Sequence, residues 1–160
     1  MSEELRAAVS SALEAGRGES LPTEPSCLVI VTLPSGARLG IDAQARYWIA
    51  PEDGSPASMF AAEKEGRFLE VIEIPRRDFE DLLEAGARAL DLPVDPTVVA
   101  FPALELLGSV LGMPSGFAAR LALRWLLPSE RSPLLPAIVA LISNGDMPQD
   151  VRDLARHLRG

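Results

Sequence analysis
The chain has 160 residues, of which 48% are hydrophobic and 24% charged, and its formal net charge is −8. That length suits one good core, and that apolar content excludes a disordered chain. The negative balance repels nucleic-acid phosphates and anionic lipid headgroups, so neither nucleic acid nor a membrane is an expected partner.

The basic residues are arginines except for Lys64, in a chain rich in Ala, Gly and Pro, a bias expected of a GC-rich bacterial genome. Cys27 is the single cysteine, so no internal disulfide forms, which fits a reducing compartment. The opening residues are acidic and amphipathic, where a signal peptide needs a basic start and an apolar core. A bacterial cytoplasmic protein is the expectation.

In chain order, Ser2 can cap a first helix with Glu3 and Glu4 in its opening turn, and Leu5, Ala8, Val9, Ala12 and Leu13 fall on one face. Gly16 and Gly18 stop it, and residues 19–26 form a polar link. Residues 27–33, "CLVIVTL", are β-rich and apolar on both faces, as in a strand covered on both sides. Residues 37–42 and 45–50 read as shorter, half-polar strands, and 51–58 as a loop. Residues 67–75, "RFLEVIEIP", read as the last strand. On a strand Glu70 and Glu73 point to opposite faces, so they suit edge solubility better than a paired-carboxylate site.

Beyond Pro75 every signal is helical. Residues 76–90 carry Phe79, Leu82, Leu83 and Leu90 on one stripe, with Gly86 on the same stripe as a point of close approach. Asp95-Pro96 reads as a helix start, and the apolar run that follows is interrupted by Pro102. Ser115 caps the next helix, Ser132-Pro133 starts another, and Asn144-Gly145 stops it. Residues 147–160 form an amphipathic helix with Val151, Leu154, Ala155 and Leu158 inward. Within the uncharged stretch 132–145, a helix from Pro133 to Ser143 is about 16 Å long, against roughly 30 Å of hydrocarbon, so it cannot span a bilayer. A core helix or a partner-facing surface remains.

The fold class expected is α+β: an N-terminal helix, a small, mainly antiparallel sheet of three to four strands, then a bundle of four to five short helices. Residues 1–160 are expected to act as one domain, with a helix-and-meander part up to 75 and an all-helical part from 76.

Catalytic chemistry finds little support. His157 is the only histidine, and an Asp153–His157 pair on a solvated face explains it more simply than a triad or a zinc site. Cys27, at the start of the most apolar strand, suits a buried inert thiol. No cofactor or metal is implied. Arg120 and Arg124, four apart and followed by Trp125, form the one function-like pattern: two like charges in a region from 97 to 145 with few others need an answer. Glu105 could supply it from within the chain, or an acidic partner or bound anion from outside. The expected function is therefore a non-enzymatic protein–protein interaction protein, such as an adaptor, an assembly subunit or an immunity-type inhibitor. It could also form a homo-oligomer. The alternative is a small enzyme or small-molecule sensor with a site between sheet and helices.

Overall fold
The computed structural model describes residues 2–60 and 68–160. It divides into two compact units, Met1–Pro102 and Ala103–Gly160. The α+β expectation holds, with an N-terminal helix, an antiparallel sheet and a C-terminal group of helices. The division falls at Pro102 rather than at Pro75, because the helix after Pro75 packs on the sheet.

In the first unit, α1 (Glu3–Glu14) is capped as its sequence demands: the Leu5 amide donates to Ser2 Oγ at 3.3 Å. A meander of five antiparallel strands follows, in the order β1 (Ser20–Leu21), β2 (Cys27–Thr32), β3 (Arg38–Asp42), β4 (Tyr47–Ala50) and β5 (Ser58–Met59). The three longer strands lie where the alternation places them. The two-residue edge strands fall in segments whose prolines and polar residues read as link and loop; they exist because β2 and β4 offer them unpaired backbone. Between Val29 and Val31 the register of β2 shifts, which bends the strand.

Both faces of β2 are covered, as its composition implies. α1 lies against β2 and β3 on one side. On the other, Cys27 joins Leu21 and Ala50 in a small cluster with Val29, Trp48 and Ala57.

The expected strand at residues 67–75 is not formed. Arg67 lies outside the described residues, and Leu69–Ile72 is a single helical turn, α2. The β-branched residues suggest a strand, but Phe68, Val71 and Ile72 are spaced i, i+3, i+4 and all three are buried. Helical spacing buries them on one side; alternation would leave one exposed. This turn also puts Glu70 and Glu73 near one another, where a strand would separate them.

Next come α3 (Arg76–Ala89) and α4 (Val94–Val99). α4 starts after Pro93, two residues earlier than its Asp-Pro signal suggests. Gly86 of α3 meets β2 directly: a Cβ there would stand 2.2 Å from the Ile30 carbonyl oxygen and 2.7 Å from Ile30 Cγ2. Tyr47, Phe101 and Phe79 stack edge-to-face in that order, with ring centroids 5.2 and 4.8 Å apart along the series. The buried Tyr47 hydroxyl donates to the Thr97 carbonyl at 2.7 Å.

The second unit is all-helical: α5 (Ala103–Leu111), α6 (Gly116–Trp125), a 3-10 turn (Pro128–Glu130), α7 (Arg131–Ser143) and α8 (Gln149–Arg159). Ser115 caps α6, accepting from the Ala118 amide at 3.2 Å. α7 carries most of the uncharged stretch, after Arg131, and it splits by face. Leu134, Ile138 and Leu141 are buried, whereas Leu135, Pro136, Val139 and Ala140 are exposed. The core and surface readings each describe one side of the same helix. Val94–Leu111 has the length and apolarity of a membrane span. It is broken at Phe101–Pro102, however, and its longer half, α5, rises only about 14 Å.

Two predictions follow from this packing. Gly86→Ala should lower stability despite alanine's advantage of about 1 kcal/mol in a helix interior, because overpacking typically costs about 1–3 kcal/mol. A urea midpoint that holds or rises would show that α3 can stand off from β2. Ile138→Asp should cost about 3 kcal/mol or more, while Val139→Asp, one residue on but 39% exposed, should cost about 0.5 kcal/mol or less. Equal losses in the two denaturation curves would contradict the two-faced reading of α7.

Candidate interaction surface
Helix α6 positions the two arginines singled out by sequence. Its inner side carries Ala118, Ala119, Ala122 and Leu123, all buried. At its start, a Cβ on Gly116 would lie 2.7 Å from the Pro148 ring, so the missing side chain lets α6 approach the chain entering α8. That approach brings Arg120 to Asp150 in the first turn of α8: Nε and Nη2 donate to Oδ2 at 2.8 and 2.7 Å.

Glu105 is therefore not the partner of Arg120. It is exposed on α5, and neither arginine pairs with it. Arg124 is exposed and makes no hydrogen bond or ion pair among the described residues. Trp125 is 3% exposed and unavailable to a partner, since one residue along a helix turns the side chain by about 100°.

The aromatic on the arginine side is Phe117, 61% exposed. Phe117, Arg120 and Arg124 recur at i, i+3, i+7, which places them on one stripe with Leu121 between. The spacing was legible in the sequence; the adjacency of Trp125 to Arg124 drew attention to the wrong ring.

The first unit contains a second feature, hidden by the strand reading of residues 67–75. A cleft of about 660 Å³ opens between the β2–β3 turn and the α2–α3 segment. Leu33, Pro34, Ile74, Pro75 and Leu82 give it apolar walls. Glu70, Glu73, Asp78 and Asp81 add four carboxylates. Ser35 Oγ donates to Glu70 Oε2 at 3.1 Å; the other three carboxylates have no partner among the described residues.

The remaining titratable groups are structural. Asp42 is fully buried and saturated: Oδ1 accepts the Gln44 and Arg46 amides at 2.9 and 3.0 Å, and Oδ2 accepts Arg46 Nε and Trp48 Nε1 at 2.8 and 3.0 Å. It pins the β3–β4 turn, in which Ala45 has a φ of 62°. Asp153 accepts from Gln149 and Arg156 and does not pair with His157, contrary to the simple sequence expectation; the arginine at i+3 takes the place given to the histidine. Among the described residues, no three His, Cys, Asp or Glu side chains gather as a metal site. The chain matches no protein-family model, no curated protein and no solved structure.

Cys27 is buried, and desolvation pushes its thiol from near 9 up to about 11, against a smaller opposing effect of its hydrogen bond with Thr23. Thiol-specific alkylation at neutral pH should therefore be slow in the folded protein and fast in denaturant. The folded state holds this proton more tightly than the unfolded state. Its stabilising contribution should be complete below about pH 9 and fall away as pH rises through about 11. Equal alkylation rates with and without denaturant would show an accessible thiol.

Proposed function
We propose that the protein is a non-enzymatic protein–protein interaction module of a bacterial cytoplasm, acting as an adaptor, an assembly subunit or an immunity-type inhibitor. Its contact face is the outer stripe of α6. The observation that carries this reading is the exposure of Phe117 in line with Arg120 and Arg124 on a rigid, capped helix. Aromatic residues and arginine are the types enriched at the energetic centres of interfaces, where a ring fills a pocket and a guanidinium meets carboxylates. The partner surface that matches is acidic around an apolar depression.

The Arg120–Asp150 pair does not oppose this role. Its side chains are 30% and 61% exposed, and ion pairs of that kind contribute about 0–1 kcal/mol. Arg120 can therefore exchange Asp150 for a partner carboxylate at small cost. The uncharged outer side of α7 supplies further apolar surface in the same unit.

The enzyme or sensor alternative would use the cleft of the first unit. That cleft offers carboxylates and one serine hydroxyl already bonded to Glu70, with no base beyond these carboxylates, among the described residues, positioned to activate it as a nucleophile.

The double variant Arg120→Glu/Arg124→Glu should keep its melting temperature to within about 1 kcal/mol of wild-type stability, since both side chains are solvated. In affinity purification from the native host it should lose the partner that wild type retains, and Phe117→Ala should lose it too. A partner recovered equally by all three chains would refute the α6 face, and a collapse of the double variant's melting curve would make the arginines structural.

A further inference from the structure
The charge of the chain is unevenly divided. After Pro102, six arginines stand against five carboxylates, so the net charge of −8 is carried entirely by the first unit. Each unit presents one interaction feature of its own sign. The first has the apolar cleft with unpartnered Glu73, Asp78 and Asp81. The second has the Phe117–Arg120–Arg124 stripe.

The two features are opposite in sign, and each includes a helix face. On the cleft side, Asp78, Asp81 and Leu82 recur at i, i+3, i+4 along α3, and Ile74 joins them from the segment before the helix. On the other side, Phe117, Arg120, Leu121 and Arg124 run along α6 at the same helical period. The α3 stripe covers one turn, about 6 Å, and the α6 stripe two turns, about 10 Å, and both mix apolar and charged groups. Two such stripes can pack as neighbouring helices at the usual 8–10 Å separation. In that arrangement the ring enters the apolar part of the cleft, and the guanidiniums reach Asp78, Asp81 and Glu73.

Resting on the α6 reading above, we infer that the partner the stripe fits is a second copy of this chain, whose cleft receives it head to tail. The charge complementarity between the two surfaces selects this occupant. The contact is heterologous, so a pair keeps one free cleft on one copy and one free stripe on the other unless a ring closes. The overall charge of −8 opposes approach at long range, but beyond a Debye length of about 8–10 Å that repulsion is screened at physiological salt, while the contact itself is local.

The test is sedimentation velocity on the full chain, with circular dichroism confirming that each variant is folded. Wild type should associate with rising concentration, and less so at about 1 M than at about 0.1 M salt. Reversing the stripe (Arg120→Glu/Arg124→Glu) or the cleft (Glu73→Arg/Asp81→Arg, both exposed positions) should leave each variant monomeric. Mixing the two variants should restore association, because the reversed cleft now fits the reversed stripe and the two untouched surfaces still fit each other. A wild type that stays monomeric up to roughly 1 mM, the weak end of specific affinities, overturns the self-pairing. So does a mixture that stays monomeric. If a heterologous partner is nevertheless lost from the α6 variant, only the identity of the occupant fails. If wild type associates and the α6 reversal leaves that assembly unchanged, the α6 face fails with it.

Discussion

The contact on which the first unit depends is the approach of Gly86 to the Ile30 carbonyl. A helix laid on a sheet is normally kept off by its side chains. Here one residue without a Cβ lets α3 settle until its backbone reaches that of β2. A methyl group would stand 2.2 Å from the carbonyl oxygen, so no other residue fits without moving the helix. The position of α3 then fixes what surrounds it. Phe79 reaches Phe101, and through it Tyr47, while Asp78, Asp81 and Leu82 come to face the β2–β3 turn across the cleft.

Polar groups complete this packing where apolar contact cannot. Asp42 gathers four donors around one buried carboxylate, each oxygen taking one backbone or indole N–H and one further donor from Arg46. A buried charge is tolerated only when it is hydrogen-bonded in this way. Tyr47 does the same for β4, its hydroxyl reaching the Thr97 carbonyl on α4, and burial pushes its phenol far above the usual range. These bonds give the short strands a defined register that their length alone would not impose.

The second unit shows how an uncharged sequence can serve two purposes. α7 buries every third or fourth residue and leaves the intervening positions apolar, so its core side follows from packing and its outer side does not. α6 differs. Its inner side sets three alanines beside Leu123 and Trp125, and its outer side holds Phe117, Arg120 and Arg124. Small residues inside let a helix sit close to its neighbours, and large ones outside cost solvation unless something covers them.

Much of this organisation follows from local rules that a sequence carries by itself. Ser2 and Ser115 cap helices because their hydroxyls reach amides two to three residues on, and the strands from Cys27 to Ala50 follow from β-branched alternation and turn residues. Gly86 is legible as a point of close approach because it interrupts an apolar stripe. The remaining features required the tertiary structure. Residues 68–72 satisfy strand composition and helical spacing together, and burial of Phe68, Val71 and Ile72 on one side selects the helix. That choice brings Glu70 and Glu73 to the same cleft. Asp150 lies 30 residues from Arg120, whereas Glu105 is nearer along the chain, so only the packing of α8 on α6 decides which carboxylate answers the arginine. Likewise, Trp125 and Phe117 are both aromatic neighbours of that pair, and the rotation of α6 about its own axis buries one and exposes the other. Sequence spacing tells which residues share a face; which face meets the core is set by everything packed against it.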